Sequence, residues 1–126
     1  MIYGIGIDIV QINRIKRLID IYHNRFIQRI LSKAEIEQLH DLNQHIYISG
    51  RFAAKEAIIK AMGERHDIRY SEIEILNDHK GKPYINNTSI IMEKLSIHID
   101  AGQPIVNISI SHERDYAIAL VIIEIP

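Results

Sequence analysis

The stretch Gly50-Arg51-Phe52-Ala53-Ala54-Lys55-Glu56-Ala57-Ile58-Ile59-Lys60-Ala61-Met62-Gly63 decides the fold. Read as a helix, it carries Phe52, Ala53, Ala54, Ala57, Ile58, Ile59, Ala61 and Met62 almost all round and leaves no wide polar face. Such a helix is buried rather than amphipathic. Its pattern extends back to Ile46, and Gly63 is a natural stop, so the helix is expected over residues 46–62. A chain of 126 residues fits one domain, 1–126, with one core to hold it.

Four charges are set into that apolar segment, and buried charges cost several kcal/mol unless paired or metal-bound. Glu56 and Lys60 stand at i,i+4, the spacing of an intrahelical ion pair worth about 0.2–0.5 kcal/mol. Arg51 and Lys55 have the same spacing but like charges. Two cations on one edge of a buried helix predict a missing anion, and a phosphate would satisfy both.

Outward from this helix, residues 2–10 read as a strand. Tyr3, Ile5, Ile7 and Ile9 share one face at period two, while Gly4, Gly6 and Asp8 share the other. Glycines there let a second backbone or a ligand come close. A helix is expected over 13–23, capped by Asn13, with Ile15, Leu18, Ile19 and Tyr22 inward and Arg14 and Arg17 on the polar side. Ser32 and Glu35 form a capping-box pattern for a helix over 32–42. Residues 64–71 read as loop. Ile73, Ile75 and Lys82 to Ile85 flank a hairpin turn at 77–81, a short helix follows over 89–99, and Val106–Ser111 and Tyr116–Ile125 form two strands joined by a turn at 112–115. The order β-α-α-α-β-β-α-β-β predicts an α+β fold, helices packed on a mainly antiparallel sheet.

Composition narrows the function. Hydrophobic residues make up 47% and charged residues 25%, as in ordinary globular domains. There is no cysteine, which excludes disulfides and cysteine nucleophiles and makes a reducing, cytoplasmic setting the expectation. The N-terminus lacks a basic leader pattern and no run approaches a membrane span of about 18 apolar residues, so no membrane role is expected. A formal net charge of −1 argues against nucleic acid. The charge is uneven, however. Residues 11–33 hold six cations, Arg14, Lys16, Arg17, Arg25, Arg29 and Lys33, against the single acid Asp20. That run is either a solvated helix face or a docking surface for an acidic partner.

Two further positions are candidates for chemistry. Asp8, among Gly4, Gly6, Ile7 and Ile9, is either a local turn contact or a ligand for a hard cation. Mg²⁺ is held by one or two carboxylates plus water and substrate phosphates, and Glu56 could be the second if the first strand packs beside the long helix. His112, in Ser109-Ile110-Ser111-His112, is either structural or part of a site. No G-x-S-x-G elbow accompanies it, and no H-x-x-x-H pattern points to zinc.

Taken in order, Gly4-Ile5-Gly6-Ile7-Asp8-Ile9-Val10, Gly50-Arg51-Phe52-Ala53-Ala54-Lys55-Glu56-Ala57 with Lys60-Ala61, and Ser109-Ile110-Ser111-His112 with Tyr116-Ala117 resemble the signature of the holo-acyl-carrier-protein synthases, small bacterial 4′-phosphopantetheinyl transferases. Ile73-Glu74-Ile75, Gly81-Lys82-Pro83 and Arg29-Ile30-Leu31-Ser32 followed by Glu35 add to the resemblance, which spans nearly the whole chain. It implies the phosphopantetheinyl-transferase fold, a homotrimer with active sites between subunits, and Mg²⁺-dependent transfer of 4′-phosphopantetheine from coenzyme A to a serine of acyl carrier protein, with 3′,5′-ADP leaving. Asp8 and Glu56 match the metal carboxylates. Arg51, Lys55, Lys60 and His112 match contacts to coenzyme A, with Gly63 ending that segment. Arg14, and with it Arg17 and Arg25, match the surface that docks the acidic carrier protein. Lys55 is also expected to steady the charge developing on the phosphates, and the base that takes the serine proton is a metal-bound water, Glu35 or His112. The sequence departs from the family at Glu64-Arg65-His66, where many relatives have Thr-Gly, and at Asn43-Gln44-His45, where many have a basic residue. The alternative function is a non-catalytic module that binds coenzyme A or nucleotide and docks an acidic protein.

Overall fold

The computed structural model describes residues 1–40, 42–64, 66–95 and 102–126. The elements in chain order are β1 (Ile2–Gln11), α1 (Ile12–Tyr22), α2 (Asn24–Ile30), α3 (Lys33–Glu37), α4 (Gln44–Ala61), a 3₁₀ turn (Tyr70–Glu72), β2 (Ile75–Asn77), β3 (Pro83–Ile85), α5 (Thr88–Lys94), β4 (Ile105–His112) and β5 (Tyr116–Glu124). A three-stranded sheet has the order β1-β5-β4, and β2-β3 form a second, two-stranded sheet. Every pairing is antiparallel, so the fold is α+β as expected.

Two glycines set the centre of the molecule. A Cβ on Gly6 would stand 1.8 Å from the Ala57 carbonyl oxygen, and one on Gly4 would stand 1.8 Å from that of Ala61. Neither position admits a side chain, so the β1 backbone lies directly on the α4 backbone. The two spacings agree: four helical residues rise about 6.0 Å and two strand residues about 6.6 Å. Ala53, Ala54, Ala57 and Ala61, all buried, keep that helix surface thin enough for the contact. At its other end α4 passes over β4, where Gly50 meets the Ile110 side chain. The helix thus crosses the sheet from β4 to β1. Ala117, Ala119, Val121 and Ile123 of β5 are fully buried beneath it.

The opposite face of the sheet is uncovered in the single chain, apolar along β1 and β5 and polar along β4, where Asn107, Ser109 and Ser111 are exposed. Ile5, Ile7 and Ile9 of β1 are more than half exposed, and Ile118 and Leu120 of β5 are 37% and 40% exposed.

Several expectations are corrected. Asn13 is not a cap: α1 starts at Ile12, and the Ile12 amide donates to the Asp115 carbonyl at 2.9 Å, so a tertiary contact does what a capping side chain would. A helix at Asn24–Ile30 was not anticipated, because the break before it falls on His23 at φ 51° rather than on glycine or proline. The capping box of Ser32 and Glu35 is formed, but its helix ends at Glu37. Ile73 is buried ahead of β2 and not part of it. His112 is the last residue of β4, paired with Ala117, and not part of the turn. The helix expected over 89–99 is seen as Thr88–Lys94, and residues 96–99 lie outside the described residues.

Candidate active site

The glycine contact brings Asp8, Glu56 and Lys60 to one place. Asp8 is two residues beyond Gly6 on the same face of β1, and Glu56 and Lys60 flank Ala57 on α4. Lys60 Nζ donates to Asp8 Oδ1 at 3.2 Å and to the Ile7 carbonyl at 2.9 Å. The intrahelical pair expected between Glu56 and Lys60 does not form, because Lys60 reaches the strand instead. Glu56 Oε1 accepts a hydrogen bond from the Tyr70 hydroxyl. Burial pushes the Asp8 carboxyl above its ordinary pKa. The hydrogen bond and charge of Lys60 oppose that shift, the neighbouring Glu56 charge adds to it, and Arg14 opposes it. Two carboxylates close enough to repel form an all-oxygen donor set suited to Mg²⁺. Among the described residues no cluster of three or more possible metal-ligating side chains occurs.

Lys55 and Glu35 lie elsewhere, in the core. Lys55 Nζ donates to Glu35 Oε1 at 2.5 Å and to the Ile30 carbonyl at 2.6 Å. Glu35 also accepts from the Ser32 amide at 2.7 Å and the Ile75 amide at 3.1 Å. Both side chains have zero exposure. Burial holds the Lys55 ammonium below its ordinary pKa, against the pull of Glu35. An unpaired ammonium there would cost too much desolvation, so the fold itself supplies the anion. In the single chain Lys55 is therefore paired with Glu35 rather than left with Arg51 to share an anion, and both Glu35 oxygens accept hydrogen bonds in the core.

Arg51 and His112 meet in a second cleft of about 400 Å³, lined also by Tyr47, Gly50, Ile110 and Ser111. Arg51 is 5% exposed. Its Nη2 donates to Asn77 Oδ1 at 2.8 Å, and its guanidinium carbon lies 4.5 Å from the Tyr47 ring centroid. A third cavity, of about 580 Å³, is framed by Arg14, Arg25 and Arg29 over Phe26, Phe52 and Tyr70. Arg17 is exposed but does not line it. Gly63 follows α4 at φ 96° with open space around it, the conformation that glycine adopts without strain.

The carboxylate pair and the Arg51–His112 cleft stand on opposite edges of the sheet. Asp8 is on β1, paired with Ala119 of β5, and Ala119 pairs in turn with Ile110 of β4, two residues before His112. Within one chain, two strand spacings of about 4.8 Å and the crossing helix α4 separate them.

A family model described as the 4′-phosphopantetheinyl transferase superfamily matches residues 4–121. The chain belongs to that superfamily. The holo-[acyl-carrier-protein] synthase of Clostridium tetani is 43% identical over 126 residues, covering 98% of this chain and 97% of that one. The crystal structure of such a synthase from Bacillus anthracis, in complex with CoA (3′,5′-ADP), is 36% identical, with a TM-score of 0.76 over 98% of this chain and 96% of that one. The Helicobacter pylori synthase, solved in complex with coenzyme A, gives 32% identity and a TM-score of 0.80 over 95% and 99%. The superfamily fold is therefore the one that the α+β reading anticipated.

In this transferase, sequence reasoning missed Tyr70, Tyr47 and Asn77. Tyr70 is 14 residues from the Glu56 it bonds and Asn77 is 26 from Arg51, so neither shows a local spacing. Tyr47 is four residues before Arg51 on α4 and could have been found from the helical period.

Proposed function

We propose that the chain is a holo-[acyl-carrier-protein] synthase, which transfers 4′-phosphopantetheine from coenzyme A to a serine of apo acyl carrier protein and releases 3′,5′-ADP. The observation that carries this is the convergence of Asp8, Glu56 and Lys60 where β1 lies on α4, in a chain similar along its length to enzymes of that name.

The serine oxygen forms a bond to the phosphorus next to pantetheine, and the bond from that phosphorus to the 3′,5′-ADP oxygen breaks. Mg²⁺ held by Asp8 and Glu56 would supply Lewis-acid neutralisation of the pyrophosphate. Tyr70 orients the Glu56 carboxylate, and Lys60, already beside Asp8 and partly exposed, offers an ammonium to the phosphates. Arg51 and His112 line the cleft proposed for the nucleotide end of coenzyme A. Of the two side chains expected as base, His112 is the exposed one, since both Glu35 oxygens are engaged in the core.

The same reading includes a homotrimer with active sites between subunits. Two observations support a shared site. The carboxylate pair and the Arg51–His112 cleft lie on opposite edges of one chain's sheet, so a second copy would bring them together. The uncovered face of Ile5, Ile7, Ile9, Ile118 and Leu120 offers apolar area for that contact. The number three comes from the family resemblance. The cavity framed by Arg14, Arg25 and Arg29 suits the acidic carrier protein, and the cysteine-free sequence suits the cytoplasm.

The test is incubation with apo acyl carrier protein, coenzyme A and Mg²⁺, read by mass spectrometry. Gain of one phosphopantetheine group on the carrier protein is the expected result. Binding of coenzyme A without any mass gain on several carrier proteins would instead identify a non-catalytic module.

A further inference from the structure

Arg51 is almost fully buried, yet its two partners among the described residues are neutral. The ion pairs among the described residues are Lys55–Glu35, Lys60–Asp8 and Arg69–Glu72, and none includes Arg51. Its guanidinium instead donates through Nη2 to the Asn77 side-chain oxygen and lies over the Tyr47 ring, while Nε has no hydrogen-bond partner among the described residues. Lys55, one turn along the same helix and fully buried, is given a carboxylate at 2.5 Å. The contrast is informative. A carboxylate at position 77 would hold the guanidinium more strongly but would cancel its charge. A neutral amide and an aromatic face fix its direction and leave the full charge for an anion.

The two holders come from different elements. Tyr47 lies four residues before Arg51 on α4, and so on the same face. Asn77 ends β2, where pairing with Pro83 of β3 anchors it. The Arg51–Asn77 bond therefore ties the nucleotide cleft to the β2-β3 hairpin.

We infer that Asn77 and Tyr47 are positioning residues for Arg51, setting affinity for the phosphate-bearing nucleotide half of coenzyme A without taking part in the transfer step. This rests on the reading of the Arg51–His112 cleft given above.

The experiment measures 3′,5′-ADP binding by calorimetry, and KM and kcat for coenzyme A, in Asn77→Ala, Tyr47→Leu, Tyr47→Phe and Arg51→Met, with thermal melts to confirm folding. Asn77→Ala and Tyr47→Leu are each expected to weaken 3′,5′-ADP binding and raise KM about tenfold, with kcat within about twofold, the loss of one charge-assisted contact. Tyr47→Phe, which keeps the ring, restores most of the affinity lost in Tyr47→Leu. Adding Asn77→Ala to Arg51→Met causes no further loss, because Asn77 acts through Arg51. If Arg51→Met loses affinity while Asn77→Ala and Tyr47→Leu keep it, or if the losses add, the positioning inference is overturned and the cleft reading stands. If Arg51→Met itself binds 3′,5′-ADP as the wild type does, the cleft reading fails and the inference with it. Asn77 is exposed, so its variant remains a usable test if Arg51→Met does not fold.

Discussion

Lys55 Nζ and Glu35 Oε1 lie 2.5 Å apart with no solvent access to either side chain. The pair joins α4 to the start of α3, and through the Ile30 carbonyl and the Ile75 amide it also fastens α2 and β2. Breaking such a pair leaves one charge buried alone, at a cost of about 3–5 kcal/mol. Lys55→Met should therefore lower stability by that amount in urea unfolding, and Lys55→Met with Glu35→Leu should recover much of it. The folded fraction of Lys55→Met should still bind coenzyme A. Normal stability with lost coenzyme A affinity would return Lys55 to the substrate site.

The same pair sets a pH dependence. Burial places the folded-state pKa of Lys55 below the 10.5 of an ordinary lysine. Between those two values the unfolded chain binds the proton that the folded chain has released, so this group's contribution to stability rises with pH. Relative to Lys55→Met, the wild type should gain stability as pH climbs toward 10.5, read from urea midpoints. A relative loss in that range would contradict the assignment.

At the carboxylate pair, function and stability should part. Asp8→Asn and Glu56→Gln should each reduce transfer by at least about a hundredfold, a few kcal/mol of lost transition-state stabilisation. Asp8→Asn should melt at the same temperature as the wild type or higher, because burial disfavours the charge it removes. Chelation should stop turnover and Mg²⁺ restore it. Full turnover in excess chelator would exclude the metal.

Assembly is open to a direct measurement. Light scattering at micromolar concentration should give three times the 14.6 kDa chain mass. Ile7→Glu or Ile118→Glu, on the uncovered sheet face, should yield monomers that have lost transfer. An active monomer would rule out a site shared between subunits.

Carrier-protein docking should depend on the arginines that line the cavity rather than on all of the basic run. Arg14→Glu with Arg25→Glu should raise KM for carrier protein and flatten its salt dependence, leaving coenzyme A affinity unchanged. Arg17→Glu alone should do less, since Arg17 is not at the cavity. Equal effects of Arg14→Glu alone and Arg17→Glu alone, which change the charge by the same amount, in a salt series of initial rates would mean that only net charge matters.

What could be read in advance follows from the range of the interactions. Period-two and period-3.6 patterns gave β1, β5 and the buried α4, and the Ser32–Glu35 spacing gave the α3 cap, because each is set by near neighbours. The proximity of Asp8 to Glu56 depended on one condition, that β1 pack beside α4, and Gly4 and Gly6 were the visible sign of it. The errors came from distant partners. Lys55 read as a cation in want of an anion because the glutamate paired with it is 20 residues away, and α1 lacked its expected cap because Asp115, about a hundred positions on, supplies the acceptor. The helix break at His23 carries no glycine or proline to announce it.

The direct seating of β1 on α4 limits how this enzyme can change. Where two main chains touch, no side chain is available to be enlarged, trimmed or exchanged, so a lost Gly4 or Gly6 has no compensating substitution nearby. Selection for a new carrier protein or a bulkier donor has to act at the rims, on arginines, aromatics and the β2-β3 hairpin, while the distance between the two acidic positions is inherited unchanged. A library built to alter substrate range would do best to hold residues 4, 6, 57 and 61 constant and randomise the two clefts around them.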